Sequence, residues 1–194
     1  LKVVEFASYI AAPGAAGILG DWGADVVKVE RPGGDSMRHV FADAKSALAG
    51  NPTFEMDNRG KRSVVLDISK PEGRDALARL ASEADVFLTN VRAGSLKRAG
   101  LDEATLRAAN PRLIYAAITG YGLEGEEAET PGFDVTAFWA RAGVARMMTP
   151  KGQDPFLLRT GVGDHTTSLA TVAAIMAAVY ERERTGVGRF VQTS

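Results

Sequence analysis

Apolar runs recur along the chain at regular intervals. "LKVVEFA", "DVVKVE", "RSVVLDI", "DVFLTNV" and "RLIYAAITGYG" are short and rich in β-branched residues, and "RFVQTS" near the end reads as a sixth. Their apolar positions are nearly continuous rather than alternating, the pattern of strands covered on both faces. Helical spacing fills the intervals. "APGAAGILGDWGA" follows the first run as a small-residue helix entered through a Gly-rich turn. Residues 36–58 are less periodic and are expected to be irregular with one short helix. "SKPEGRDALARLASEA" offers a capping box, Ser69 with Glu72, and turns Leu77 and Leu80 inward. "GSLKRAG" and "LDEATLRAANP" predict two short helices, the second capped by Asp102 and stopped before Pro111. A further helix is expected over 133–142. A long one is expected over 164–184, with Gly186 as its stop.

Strands alternating with helices predict an α/β fold: a Rossmann-like, mostly parallel sheet with helices on both faces. In such folds the ligand lies beyond the carboxyl ends of the strands. The loops there are residues 7–13, 31–35, 90–94 and 119–122. No repeat or low-complexity tract interrupts the pattern.

Composition narrows the function classes. The 194 residues carry 23 basic and 24 acidic side chains, a formal net charge of −1, with 45% hydrophobic residues. No basic face marks a nucleic-acid partner. Polar residues break every long apolar stretch, so no membrane span is expected. The absence of cysteine removes thiolate chemistry and disulfides and fits a cytoplasmic protein. Two histidines, His39 and His165, are too few for a His-rich metal site, and no metal is expected. The apolar run at the start and the strand at the end read as cuts into a longer protein.

Four stretches could carry chemistry. "KVVEFASYIAAPGAAGILGDWGADVVKVE" has the outline of a dinucleotide fold, and an NAD-dependent oxidoreductase is the reading it invites. Its glycines fall at 14, 17 and 20, however, without the close Gly-x-Gly pair that lets a pyrophosphate approach the backbone. Close packing of that helix on the sheet is the simpler reading. Arg31, at a strand's end beside "PGG", could meet a phosphate or be a solvated turn residue; Arg98 in "SLKRAG" poses the same choice. Tyr121 of "TGYG" could lie over a ligand or cover the sheet edge. Asp164, in "GVGDHTT", could cap the long helix. It could equally be a nucleophile, because Gly161 and Gly163 leave it open to a ligand. The helix N-terminus would then keep it ionised and offer N–H groups to an oxyanion. His165 beside it is read as a surface histidine, with a base as the alternative.

Taken in order, "VVEFASYIAAPGAAGILGDWGADVVKVERPGGD", "NRGKRSVVLDI", "DVFLTNVRAGSLKRAGL", "NPRLIYAAITGYG" and "GVGDHTT…ERERTGVGRFVQTS" resemble the family III CoA-transferases. That group includes formyl-CoA transferase, the carnitine CoA-transferase type and the α-methylacyl-CoA racemases. The resemblance spans the whole chain. It implies the N-terminal part of the family's large CoA-binding domain, with a small second domain and a C-terminal return lying outside these residues. It implies acyl-CoA and carboxylic acid as substrates, coenzyme A as a substrate thioester rather than a cofactor, and a homodimer interlocked in the full-length protein. Asp164 matches the aspartate that forms an anhydride with the acyl group and then a thioester with CoA. Family contacts to CoA fall on Arg31, Leu66, Asn90, Arg98 and Tyr121, with Tyr9, Ile10 and Ala11 in the loop that lines it. Thr119 stands where formyl-CoA transferase has lysine. Phe133 stands where the racemases place a histidine, which speaks against racemisation. An acyl-CoA racemase or isomerase of the same fold and an inactive fragment stay open beside the transferase.

Overall fold

The first strand of the chain lies in the middle of its sheet rather than at an edge. In the computed structural model, which describes residues 1–40, 50–159 and 161–194, six parallel strands form one sheet in the order β3-β2-β1-β4-β5-β6. They are β1 (Lys2–Phe6), β2 (Asp25–Glu30), β3 (Arg62–Val65), β4 (Val86–Thr89), β5 (Ile114–Ile118) and β6 (Phe190–Thr193). All five pairings are parallel. The order reverses between β1 and β4, where two doubly wound halves meet and a crevice opens at the strands' carboxyl ends. The strands β4 and β5 are buried at every residue, as their continuous apolar runs predict.

Helices cover the two faces. On one face, α1 (Ala11–Asp21) and α7 (Val162–Thr185) pack on Val3, Val86, Leu88, Ile114 and Ala116. On the other, α3 (Pro71–Ser82), α4 (Ala93–Ala99) and α5 (Glu103–Ala109) cover Val4, Phe6, Phe87, Tyr115 and Ala117 through Leu77, Leu96 and Leu106. Alternate residues of one strand thus serve opposite cores. Small residues let α1 and α7 approach closely: Ala12, Ala15 and Ala16 are fully buried, and a Cβ on Gly14 would stand 2.7 Å from Ser168 Oγ. The glycines of the first helix therefore serve packing, as the simpler reading of their spacing held.

Two local expectations differ from the structure. The capping box at Ser69 and Glu72 does not form: Ser69 Oγ donates to Asp67, and α3 starts at Pro71 with Lys70 before it. Proline fixes the first-turn φ and needs no amide partner there, so it displaces the box. The helix expected over 133–142 is a π-helix, Val135–Arg141, followed by α6 (Val144–Met148). Within residues 36–58, a 3₁₀ turn (Ser36–Arg38) and α2 (Pro52–Asn58) are present, and residues 41–49 lie outside the described residues. The 24-residue α7 has the length and hydropathy of a membrane span. Its inner side is packed on the sheet, with Ser168, Thr171 and Arg182 buried, which is how a core helix passes the same test.

Candidate active site

Charged residues inside apolar strands build the frame of the site. Glu5 of β1 is fully buried between Lys28 of β2 and Lys61, each 2.6 Å away. Burial works against the charge on Lys28, yet Glu5 and Asp35 outweigh it and hold the ammonium protonated. Asp35, 2.8 Å from Lys28 Nζ, accepts the N–H groups of Tyr9 and Met37. Lys61 donates to the carbonyl of Pro13. The turn between β1 and α1 is therefore clamped from below, and Tyr9 is held at φ 68°, a left-handed conformation that costs a non-glycine residue about 1 kcal/mol. Asn90, after β4, pins the same turn by donating to Ser8 O at 2.7 Å and accepting from Ser8 N at 3.1 Å.

Asp164 lies in the first turn of α7, half-buried at that edge of the sheet. It is not the cap. Gly161, at φ 99°, takes the cap position, and the carboxylate of Asp134 accepts the N–H groups of Gly161 and Gly163. A side chain on Gly163 would collide with Asp134 and Phe138, so only glycine fits beneath that carboxylate. The helix terminus was expected to favour the charge on Asp164, but its amides serve Asp134 instead. Two of the amides are spent on Asp134. Burial first, and then the Asp134 charge, push the Asp164 carboxyl up to about 6. Among the described residues its oxygens accept no hydrogen bond.

His165 is not a free surface histidine either. Its Nε2 lies 2.8 Å from Oδ1 of Asp57, a residue of α2 that is itself buried.

Other candidates spread along the carboxyl edge. Ile10 precedes α1 and reaches toward Gly161, and Ala11 opens the helix, so both adjoin the start of α7. The Tyr9 ring meets the edge of Phe133 with centroids 5.6 Å apart. Gly120 and Gly132 touch backbone to backbone, which brings the "TGYG" turn carrying Tyr121 against the segment that carries Phe133 and Asp134. Arg31 follows β2, is exposed, and donates to Ser36 Oγ. Leu66 follows β3, where its N–H donates to Glu30 O at 2.9 Å. Arg98 lies on the α3–α4 side, in a groove of about 300 Å³ that also holds Ser69, Arg74 and Ser95. Neither Arg31 nor Arg98 has a carboxylate partner among the described residues. Ile10 and Ala11 thus adjoin α7, the helix that carries Asp164, while Tyr9 and the Tyr121 turn lie against the segment of Phe133 and Asp134. Leu66 and Arg98 stand apart on the other face, a separation that only an extended ligand could bridge. A roomier groove of about 560 Å³ between the sheet and α3 lies toward the strands' amino ends and does not reach Asp164.

Asp134, Asp57 and the Glu5–Lys28–Lys61 network were missed from sequence. Glu5 in "VVEF" and Lys28 in "DVVKVE" carried a signal: a charge in a run otherwise buried on both faces must find a partner. Asp134 and Asp57 carried none, because their partners are 27 and 108 residues away.

The doubly wound sheet, the clamped turn and the carboxylate at the switch edge define an α/β domain with a candidate active site at the carboxyl ends of its strands. Consistent with this, the family model for CoA-transferase family III matches residues 1–194, and the chain belongs to that family. It is 41% identical to the (R)-2-hydroxy-4-methylpentanoate CoA-transferase of Clostridioides difficile, over 100% of this chain and 49% of that protein. It is 39% identical to the cinnamoyl-CoA:phenyllactate CoA-transferase of Clostridium sporogenes, over 100% of this chain and 48% of that protein. Among solved structures, a CAIB/BAIF family protein from Brucella suis superposes with a TM-score of 0.88 at 39% identity, covering 98% of this chain and 51% of that one. The chain spans about half the length of the curated relatives it matches.

Proposed function

We propose that the protein to which this chain belongs transfers CoA between an acyl-CoA thioester and a free carboxylic acid, with Asp164 as nucleophile. The observation that carries the reading is a half-buried carboxylate, without a hydrogen bond among the described residues and raised to about 6, at the carboxyl edge of a family III sheet. It is still largely ionised at neutral pH, and it is more basic than an ordinary carboxylate. In the first step an Asp164 oxygen bonds to the acyl carbon and the C–S bond breaks, giving a mixed anhydride and CoA thiolate. The thiolate then attacks the aspartyl carbonyl, and the first acid leaves as its carboxylate. The acceptor carboxylate enters by the reverse of these steps, so a thioester is exchanged for a thioester and no ATP is consumed.

Arg31, Leu66, Asn90, Arg98 and Tyr121, with Tyr9, Ile10 and Ala11, are the residues we assign to CoA. Two exposed guanidiniums suit its phosphates, and the clamped turn suits the acyl-bearing end. Phe133 carries no proton, which disfavours a racemase or isomerase using a histidine there. A small second domain, an interlocked homodimer and a cytoplasmic setting complete the proposal for the whole protein.

The test uses the full-length protein. Asp164→Asn is expected to retain CoA binding and to lose turnover by more than about 10³-fold, since an amide cannot form the anhydride. Acyl-CoA followed by hydroxylamine should leave a hydroxamate on the peptide holding Asp164. An Asn variant with wild-type turnover would end this mechanism.

A further inference from the structure

We propose that Tyr9 and Phe133 form one wall of the acyl pocket and select uncharged branched or aromatic acyl groups over dicarboxylic ones. The inference rests on the reading of Asp164 as the nucleophile and adds the class of acyl group. Both side chains are open, 38% and 57% exposed, and their rings meet edge to face with centroids 5.6 Å apart. Both are also held in place. Tyr9 stands at φ 68°, with its N–H donating to Asp35 Oδ1 at 3.1 Å, where glycine would sit without strain. Strain at a non-glycine residue clusters at functional sites. Phe133 is fixed through its backbone: its N–H donates to Thr136 Oγ1 at 3.0 Å, and its carbonyl accepts from Ala137 N at 2.8 Å.

Hydrogen bonds tie both residues to the turn that carries Asp164. Asp134, next to Phe133, accepts from Gly163 N at 3.0 Å, and Gly163 precedes Asp164. From the other loop, Ala11 O shares the Ser168 hydroxyl with Asp164 O, at 2.7 and 2.9 Å. Ile10, between Tyr9 and Ala11, has its Cδ1 3.8 Å from where a Cβ on Gly161 would stand. An acyl chain leaving Asp164 thus starts beside the anchors of both rings. The charges there select in the same direction. Asp134 bonds to Gly163 and Asp57 lies 2.8 Å from His165, so each chain neighbour of Asp164 already has a carboxylate on it. Lys28 and Lys61, beneath the Tyr9 turn, are buried and paired with Glu5 and Asp35. A second carboxylate on the acyl group would come among like charges. A branched or flat apolar group would instead cover the two open rings, which is favourable.

The test measures exchange of each acyl-CoA with its own isotope-labelled acid in the full-length enzyme, which requires no second substrate to be known. Acetyl-, 3-methylbutanoyl-, 3-phenylpropanoyl- and succinyl-CoA form the panel. kcat/KM is expected to be at least about tenfold higher for the branched and aromatic acyl groups than for succinyl. Phe133→Ala is expected to lower those two by roughly tenfold and acetyl by under about threefold, with the Kd of free CoA unchanged. Phe133→Leu, which keeps an apolar wall, is expected to hold the 3-methylbutanoyl rate within about threefold of wild type. Succinyl-CoA exchanging as fast as either apolar thioester would overturn the inference. So would no exchange with the apolar pair, or an equal loss across the panel in Phe133→Ala. Asp164→Asn in the same series separates the two readings. If it stays active, the nucleophile assignment has failed; if it is inactive and the wild-type panel is flat, this inference alone has failed.

Discussion

Asp164 is held in a state that costs the fold something. Its carboxyl titrates near 6 in the folded protein, above its ordinary 3.8. A group with a raised acid pKa binds its proton more tightly when folded. Stability is therefore lost as pH climbs from about 4 to about 6 and the loss is constant above that. For a half-exposed group, screened by solvent, the cost is on the order of 1 kcal/mol. Asparagine has the same shape and no charge. Asp164→Asn is thus expected to be more stable than wild type by about that amount near pH 7.5, with the advantage gone near pH 4. Chemical unfolding of the full-length protein at the two pH values checks this. An Asn variant less stable at pH 7.5 would show that the carboxylate makes a favourable contact instead. A helix-capping aspartate predicts little change, since asparagine caps about as well, and residue type alone does not separate the two: Asp before a long helix fits both, and the answer lies in Asp134, far back along the chain. The charge on Asp134 and the dipole of α7 satisfy each other, which leaves Asp164 free of structural duty.

At the scale of the element, α1 and α7 were legible as helices, while their mutual fit was not. The spacing of small residues in "APGAAGILG" announces a close neighbour without saying which. The structure names it: Ser168 of α7 donates to Ala11 O at 2.7 Å and to Asp164 O at 2.9 Å. Gly14 sits directly opposite that hydroxyl, 2.7 Å from it were it to carry a Cβ. Ser168 is fully buried and bonded to both helices, so it has little freedom to move aside. Gly14→Ala should therefore force α1 and α7 apart. We expect a loss of about 1–3 kcal/mol in unfolding free energy, against the gain of up to about 1 kcal/mol that glycine-to-alanine brings in an exposed helix. Because α1 begins at the Tyr9 turn and α7 carries Asp164, activity should fall with the packing. A Gly14→Ala protein more stable than wild type would mean that the helices are looser than their contacts indicate. The failed capping box at Ser69 teaches the same lesson from the other side. A local motif is satisfied only if nothing nearby competes, and Pro71 competed.

The apolar runs announced a mostly parallel sheet with helices on both faces, and the order of its strands came from the structure. What those runs could not say is which surfaces stay uncovered. Along α7, Leu169, Met176 and Tyr180 are spaced seven and four residues apart and form one outward stripe, exposed by 60%, 38% and 63%. The helix is apolar nearly all round. The sheet accounts for only one side of it. Scattered exposed apolar residues are ordinary, but an aligned stripe on a long helix marks a covered face. In the whole protein we expect that face to be closed, either by a second copy or by chain outside residues 1–194. Burying Leu and Tyr side chains is worth about 1.5–3 kcal/mol each. The pair Leu169→Gln and Tyr180→Gln in the full-length protein should then cost several kcal/mol in subunit association or in unfolding. The isolated 1–194 chain should self-associate in sedimentation and bind a hydrophobic dye, and the same two substitutions should reduce both. If full-length protein carrying both substitutions keeps its association state and its stability within about 0.5 kcal/mol, the stripe faces water in the native molecule and α7 has no second partner.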